Sequence, residues 1–250
     1  MSFVTSDRLA LALVLIGLPL LCWAWVIAMS VDMYGPMTGA SAWMMSMSWD
    51  ARRILLLWAM WAAMMAGMML PSATPMILLY ARTATAKQHA GSAVALAGGY
   101  LVIWALFSVG ATLLQRVLAT RVLLTPMMEP VLPGVAGGVL MLAGLYQFTP
   151  WKHACLAVCR SPLSVLMQRW RSGTFGAFRM GAEQGLYCLG CCWALMLVLF
   201  AGGVMNLWVI LALTAWVAVE KLAPFGQRTA PAAGALLLAI GAALLVQSNS

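Results

Sequence analysis

Residues 54–79 read ILLLWAMWAAMMAGMMLPSATPMILL, a run without a single charged side chain. A helix of that length, at about 1.5 Å per residue, is long enough to cross a hydrocarbon core about 30 Å thick. The whole chain shares this character, because 64% of its 250 residues are hydrophobic and 8% are charged. One soluble globule could not bury so much apolar surface. The sequence therefore predicts an integral membrane protein whose solvent is the lipid bilayer.

The apolar runs also predict the fold class. Lipid offers no hydrogen-bond partners, so a spanning chain forms helices or a closed barrel, and long unbroken runs select helices. We expect one all-α domain over residues 1–250, a polytopic transmembrane helix bundle of about seven spans. The predicted spans cover residues 9–28, 54–79, 92–114, 131–148, 186–201, 204–219 and 230–246.

The fifth and sixth of these runs are the weakest predictions. At 16 residues each, they reach about 24 Å at about 1.5 Å per residue. Either the fifth span begins earlier, near Met180, or the region 186–219 is a re-entrant hairpin.

The net charge of +8 reflects topology. Most basic residues lie in short loops between apolar runs, which argues against nucleic acid as a partner. With seven spans, the side of the N-terminus carries ten of them: Arg8, Arg82, Lys87, Lys152, Arg160, Arg169, Arg171, Arg179, Lys221 and Arg228. The other side carries four: Arg52, Arg53, Arg116 and Arg121. The positive-inside rule then places the N-terminus in the cytoplasm and the C-terminus in the periplasm.

Five cysteines fall into two groups with helical spacing. Cys188, Cys191 and Cys192 are at i, i+3 and i+4 at the head of the fifth predicted span, so they share one helix face. Met196 continues that face by one turn. A second pair follows the fourth span at i and i+4: Cys155 and Cys159. Soft thiolates in this arrangement suit Cu(I) or Zn(II), and on a reducing cytoplasmic side a disulfide is disfavoured.

The second span carries a methionine stripe. Met60, Met64 and Met68 are at i, i+4 and i+8, and Met65 and Met69 form a neighbouring pair. Neutral thioethers bind soft monovalent copper without losing a proton. Methionine is also a common gap-filler in apolar cores, so packing remains the alternative.

Other features of this region bear on the choice between a ligand path and packing. Further methionines precede the span on the predicted periplasmic side: Met33, Met37, Met44, Met45 and Met47. Ala63 and Gly67 would let another helix approach closely. Pro71 and Pro75 are expected to end or kink the helix and to free carbonyls near Met68 and Met69.

Three functions fit these residues. The leading hypothesis is a Cu(I) transporter or membrane chaperone, in which outer methionines pass the ion to inner cysteines and a donor or acceptor protein completes the transfer. A zinc site built from Cys155, Cys159, Cys188 and Cys191 would instead make the chain a scaffold or assembly subunit. A membrane thiol oxidoreductase would use Cys188-x-x-Cys191.

No soluble-enzyme motif is present, which makes an enzyme the less favoured class. Glu183, near the membrane edge, is open to three interpretations: metal ligand, proton acceptor or ion-pair partner of Arg179 at i−4.

Three stretches carry a resemblance to a known family. They are WAMWAAMMAGMMLPSATPM (58–76), AGLYQFTPWKHACLAVCRSPL (143–163) and MGAEQGLYCLGCCWALM (180–196), followed by EKL (220–222). Together they resemble a bacterial family of uncharacterised integral membrane proteins that are predicted to bind metal, over roughly residues 50–225. The resemblance implies a metal-binding protein of the bacterial inner membrane.

Overall fold

The computed structural model of the protein describes residues 9–35, 37, 39–45, 49–83, 89–125 and 127–249. Within these ranges every extended regular element is a helix, and the strand-like pairing is a single bridge between Leu124 and Pro130. The predicted all-α class is therefore confirmed. Three residues used above lie outside the described residues: Arg8, Lys87 and Met47.

The described residues form ten helices. They are α1 (Leu9–Met33, with a π-helical turn at Leu13–Gly17), α2 (Ala40–Met44), α3 (Ala51–Thr83), α4 (His89–Thr120), α5 (Pro133–Tyr146), α6 (Pro150–Cys159), α7 (Pro162–Arg169), α8 (Gly173–Gly202), α9 (Leu207–Leu222) and α10 (Gly226–Asn249).

Five of these helices are long and apolar enough to cross a membrane: α1, α3, α4, α8 and α10. The apolar helices α5 and α9 are shorter, with 14 and 16 residues. The count of seven spans thus remains a prediction. The helix that contains the fifth predicted span, α8, begins at Gly173 and runs for 30 residues, so it starts before residue 186 and before the alternative start near Met180. Gly203, at φ +88°, ends it in a conformation that favours glycine.

Glycines allow the main helix pairs to pack closely. A Cβ atom on Gly99 of α4 would overlap the backbone of α8 at Phe178, and one on Gly181 would overlap the backbone of α4 at Leu96. Small residues let helix backbones approach closely in this way. Close packing is what stabilises such a pair, because the hydrophobic effect contributes little to the association of helices in lipid. The long helices α4 and α8 therefore form a tightly packed pair at the centre of the bundle.

Of the two predicted effects of Pro71 and Pro75, an end or a kink, the first does not occur, because α3 continues from Ala51 to Thr83 through both prolines. A proline at 71 cannot donate to the carbonyl of Gly67, four residues earlier. The indole of Trp23 on α1 supplies the missing donor, with its Nε1 3.2 Å from the Gly67 oxygen. Gly67 also admits α1 closely, as predicted, since a Cβ there would lie 3.3 Å from the Cβ of Cys22. A neighbouring helix thus replaces the lost hydrogen bond.

One end of the bundle is closed by a short hairpin, described over residues 123–125 and 127–131, and we call this end of the bundle the hairpin end. Val131 donates its amide to Leu123, and Thr125 donates to Glu129. The hydroxyl of Tyr34, after α1, donates to the Glu129 carboxylate at 3.1 Å. The amide of Val204, after α8, donates to a carbonyl of the same hairpin. The C-terminal ends of α1, α4 and α8 therefore meet at the hairpin end.

The opposite end gathers α6, α7 and the turn between α9 and α10. Arg160 donates to the carbonyl of Pro224 at 3.0 Å, which joins the end of α6 to that turn. Tyr80, near the end of α3, stacks on Trp170 with ring centroids 4.9 Å apart. The chain thus alternates in direction between the two ends.

Candidate metal site

The three cysteines of α8 share a helix face, as their spacing predicted. The thiols of Cys191 and Cys192 lie 3.1 and 2.8 Å from the carbonyl oxygen of Cys188, and all three residues are buried. They were predicted at the head of the fifth span, and in the structure residues 188–192 occupy the middle of α8. The three thiols lie inside the bundle.

Helix α6 brings the second pair of thiols to the first group. Thr149 caps the start of this helix by accepting a hydrogen bond from the amide of Lys152, and Pro150 follows at its first turn. The Cys159 sulfur lies 3.9 Å from that of Cys191. Cys155 packs on Gly190, where an added Cβ would lie 2.7 Å from its sulfur.

Helix α6 is not one of the five long apolar helices, and its two thiols differ from those of α8 in their burial. Both are half-buried, in contrast to the fully buried thiols of α8. Burial raises the pKa of the Cys155 thiol, and the neighbouring Cys191 raises it further. Cys155 is therefore a neutral thiol at physiological pH and becomes a thiolate when a metal displaces its proton.

A thioether from a third helix completes the sulfur group. The Met69 sulfur of α3 lies 4.0 Å from the Cys192 sulfur, and Met69 is fully buried. Tyr100 of α4 donates to the Met69 carbonyl at 3.0 Å, which fixes this part of α3 beside the thiols. We call the following six residues the thiol cluster: Cys155, Cys159, Cys188, Cys191, Cys192 and Met69.

A buried lysine points into the thiol cluster. The Lys221 ammonium of α9 lies 2.8 Å from the Cys188 sulfur, 3.7 Å from the Met69 sulfur and 3.3 Å from the Ser72 hydroxyl. The Tyr100 hydroxyl also lies 2.8 Å from the Cys188 sulfur. Lys221 was predicted only as a loop charge, and its position beside the thiols was missed. The sequence feature that could have identified Lys221 is the charged pair Glu220-Lys221 at the end of an apolar run.

The neighbouring charge of that pair is also buried. Glu220 accepts a hydrogen bond from the Lys152 ammonium at 2.8 Å, and both side chains are at most 2% exposed. The Trp216 indole donates to the second carboxylate oxygen at 2.9 Å. Because Lys152 lies on α6 and Glu220 on α9, this ion pair joins the helix that carries Cys155 and Cys159 to the helix that carries Lys221.

The donor atoms fit a soft cation, although they do not form a finished coordination shell. Within the described residues, no three Cys, His, Asp or Glu side chains already form a group that could hold a metal ion. The Cys159–Cys191 and Cys192–Met69 sulfur pairs are 3.9 and 4.0 Å apart. Three sulfurs around one ion at about 2.3 Å, the distance known for zinc and thiolate, would be about 4.0 Å apart. Each pair is thus spaced for a shared ion, and side-chain rotation is needed to add a third ligand.

The methionine stripe of α3 is buried along its length, in agreement with either interpretation of its role. Met64 and Met68 face α1, where they line a crevice with Cys22 that has no room for a water molecule. The residue that contacts the thiols is Met69, from the neighbouring pair. Met60, Met65 and Met196 are also fully buried.

Glu183 is an ion-pair partner. Its carboxylate lies 3.0 Å from a guanidinium nitrogen of Arg171 and 3.4 Å from that of Arg179, and all three side chains are partly exposed. Of the three interpretations left open by the sequence, the structure supports the partner of Arg179.

Fold and site together define an all-helical, apolar protein that gathers soft sulfur atoms from three helices beside a buried ammonium group. The chain belongs to the PpoB2 family, described as copper chaperone, whose sequence model matches residues 58–244. The matched region contains the whole thiol cluster and Lys221, whereas Cys22 precedes it. No curated protein and no solved structure shows a significant match to the chain. Family membership ties the protein to copper and agrees with the metal-binding resemblance.

Proposed function

We propose that this protein is a membrane-embedded copper chaperone that holds Cu(I) at the thiol cluster and delivers it to an acceptor protein. The observation that carries the proposal is the convergence of five thiols and one thioether from α3, α6 and α8, of which the three thiols of α8 and the thioether are fully buried. Cu(I) prefers soft thiolate and thioether ligands, and Met69 is a poor ligand for zinc.

The two groups of thiols suggest how the ion is held and released. Cys188, Cys191 and Cys192 are fixed in the middle of a long helix, and they form the rigid side of the site. Cys155 and Cys159 lie on the 10-residue helix α6, which is half-buried at the end opposite the hairpin. An ion shared between Cys159 and Cys191 can pass to an incoming acceptor thiolate by ligand exchange, without becoming a free ion.

Lys221 supplies the charge that a buried copper thiolate needs. Cu(I) bound by two thiolates has a single net negative charge, which is costly to bury without a partner. The Lys221 ammonium, 2.8 Å from the Cys188 sulfur, offsets that charge. A divalent ion on the same two thiolates would leave the lysine uncompensated, so the arrangement favours a monovalent ion.

The methionine stripe supports a path for the ion along α3. Met60, Met64 and Met68 follow one another by one turn each towards Met69, and all four are buried. Thioethers bind Cu(I) more weakly than thiolates do, so transfer from the stripe to the thiol cluster is downhill. We place the N-terminus in the cytoplasm of a bacterium and the C-terminus in the periplasm on the basis of the charge asymmetry.

Two rivals make different predictions. A thiol oxidoreductase would use the neighbouring pair Cys159 and Cys191 rather than Cys188 and Cys191, and it requires that pair to cycle to a disulfide. A zinc scaffold would use thiols and ignore Met69. Mass spectrometry of alkylated protein detects the disulfide that an oxidoreductase requires. The metal preference of the purified protein separates a zinc scaffold from a copper chaperone.

The test is an anaerobic competition titration of the full-length protein in detergent with a chromogenic Cu(I) chelator. We expect tight Cu(I) binding that the variant Cys188→Ser/Cys191→Ser loses. Cys22→Ser is the matched control, because Cys22 is also buried but packs against Met64 and Met68. Equal Cu(I) affinity in the double variant and the control would refute the proposal.

A further inference from the structure

A second group of methionines is buried at the hairpin end, far from the thiol cluster along the helices. Its members come from four separate segments, and each is at most 3% exposed: Met33, Met44, Met128 and Met205. Met128 and Met205 were not among the predicted ligands. In contrast, Met37 of the predicted outer group is 40% exposed.

Backbone and side-chain hydrogen bonds tie the four segments together. The amide of Val204 donates to the Met128 carbonyl at 3.3 Å, and the hydroxyl of Ser30 donates to the Met205 carbonyl at 2.9 Å. Met33 lies one turn beyond Ser30 on the same face of α1. These contacts bring the segments that carry Met33, Met128 and Met205 together at the hairpin end.

The fourth segment is held in the same way. The short helix α2 packs on α1 through a hydrogen bond from Ser41 to Asp32, and Met44 follows Ser41 by one turn. Arg53 of α3 donates to the Met44 carbonyl at 2.9 Å. The carbonyls of Met44, Met128 and Met205 are therefore occupied, and the sulfur is the remaining donor atom that each of these residues offers.

Met128 is held in a strained conformation. Its φ is +61°, a left-handed value that L-residues other than glycine seldom adopt. The amide of Met128 donates to Thr125 within the hairpin, which keeps the turn closed. Backbone strain of this kind persists where the surroundings enforce it, and it is concentrated at functional sites. The hairpin thus directs a thioether into the bundle.

Acidic residues accompany these methionines. Asp32 precedes Met33 and Glu129 follows Met128, so two of the six carboxylates in the chain are sequence neighbours of the group. Thioethers are neutral and leave the charge of a bound monovalent ion unchanged. The Tyr34 hydroxyl donates to Glu129 and the Ser41 hydroxyl donates to Asp32, so both carboxylates belong to the hairpin end, where their negative charge favours a cation.

We propose that Met33, Met44, Met128 and Met205 form a second, thioether-only site for a soft monovalent cation, Cu(I), at the hairpin end of the bundle. The site is separate from the thiol cluster and does not depend on whether the thiols bind copper. Met60, the first residue of the methionine stripe, lies on α3 between this site and Met69. The two sites would therefore stand at the two ends of one row of thioethers.

The test uses the full-length chain with all six cysteines replaced by serine, so that thiol binding cannot contribute. Serine at 188 keeps a hydrogen-bonding partner for Lys221. We expect this variant to retain one Cu(I) under anaerobic conditions, with sulfur neighbours in the copper X-ray absorption spectrum. Adding Met128→Leu/Met205→Leu should weaken binding by at least about tenfold, because leucine provides no donor atom.

The control pair is Met76→Leu/Met180→Leu, which removes two buried thioethers outside both sites and outside the stripe, and it should change the affinity by less than about twofold. If leucine at 128 prevents folding in a thermal unfolding assay, Met33→Leu/Met44→Leu tests the same site. Absence of Cu(I) from the cysteine-free protein, or equal losses for the site pair and the control pair, would overturn the proposal. Copper that remains here while the thiol cluster fails its own titration would leave this site standing and refute only the chaperone mechanism above.

Discussion

At the scale of single residues, the thiol cluster shows which contacts can be predicted from the spacing of residues in the sequence and which cannot. The shared face of Cys188, Cys191 and Cys192 followed from the i, i+3, i+4 pattern, because the geometry of a helix is local. Met69 and Lys221 could not be placed in this way. Their approach to the thiols depends on how α3 and α9 pack on α8, and no local pattern encodes that packing.

The first prediction concerns the charge of Lys221. Lys221→Met removes the ammonium beside Cys188, so a copper dithiolate would be buried without its counter-charge. We expect Cu(I) affinity to fall by at least about tenfold, since an unpaired buried charge costs several kcal/mol and about 1.4 kcal/mol is one factor of ten. Lys221→Arg keeps the charge and should retain most of the affinity. A methionine variant that binds as tightly as the arginine variant would show that the charge is unimportant.

The second prediction separates Met69 from the rest of the stripe. Met69→Leu nearly conserves volume and should cost less than about 1.5 kcal/mol in stability, but it should weaken Cu(I) binding in the competition titration. The triple variant Met60→Leu/Met64→Leu/Met68→Leu should leave the affinity of the thiol cluster unchanged and lower copper accumulation in cells. Undiminished accumulation in the triple variant would assign the stripe to packing.

At the scale of elements, the helices of the core followed from apolar runs, whereas their ends did not. The start of α8 at Gly173 was missed, because residues 173–185 mix small, polar and charged side chains that hydropathy does not recognise as helix. Pro71 was expected to end or kink α3, and the helix does not end there, because an indole from α1 supplies the missing hydrogen bond. A tertiary contact that no local pattern encodes decides this outcome.

The third prediction tests the ion pair between α6 and α9. Glu220→Gln leaves the Lys152 ammonium buried without a counter-charge, which costs about 3–5 kcal/mol for a pair this deeply buried. We expect a lower midpoint of thermal unfolding and weaker Cu(I) binding, because α6 carries Cys155 and Cys159. Glu183→Gln is the control: its ion pairs are partly exposed and contribute about 1 kcal/mol or less. Equal effects of the two substitutions would argue against a positioning role for the buried pair.

At the scale of the whole molecule, composition predicted an all-helical apolar bundle because lipid permits few alternatives. The alternation of the chain between the hairpin end and the opposite end agrees with the predicted order of the spans. The number of crossings depends on α5 and α9, which are too short to be identified by length alone. Their role depends on the surrounding helices and the local thickness of the bilayer.

The fourth prediction therefore addresses topology. With seven crossings, a reporter fused at the C-terminus should be active in the periplasm, and one inserted between residues 149 and 173 should be active in the cytoplasm. The reason is the charge split of ten against four basic residues. If the two reporters were active on the same side, the seven-span arrangement and the placement of the two termini on opposite sides of the membrane would both be wrong.

The most direct test of the central claim is X-ray absorption spectroscopy at the copper edge on full-length protein loaded anaerobically. A copper chaperone that uses the thiol cluster should show Cu(I) with a sulfur-only first shell. The variant lacking Cys155, Cys159, Cys188, Cys191 and Cys192 should lose the short thiolate distances and keep at most a weaker thioether signal. Nitrogen or oxygen neighbours in the intact protein, or an unchanged spectrum in the variant, would contradict the account.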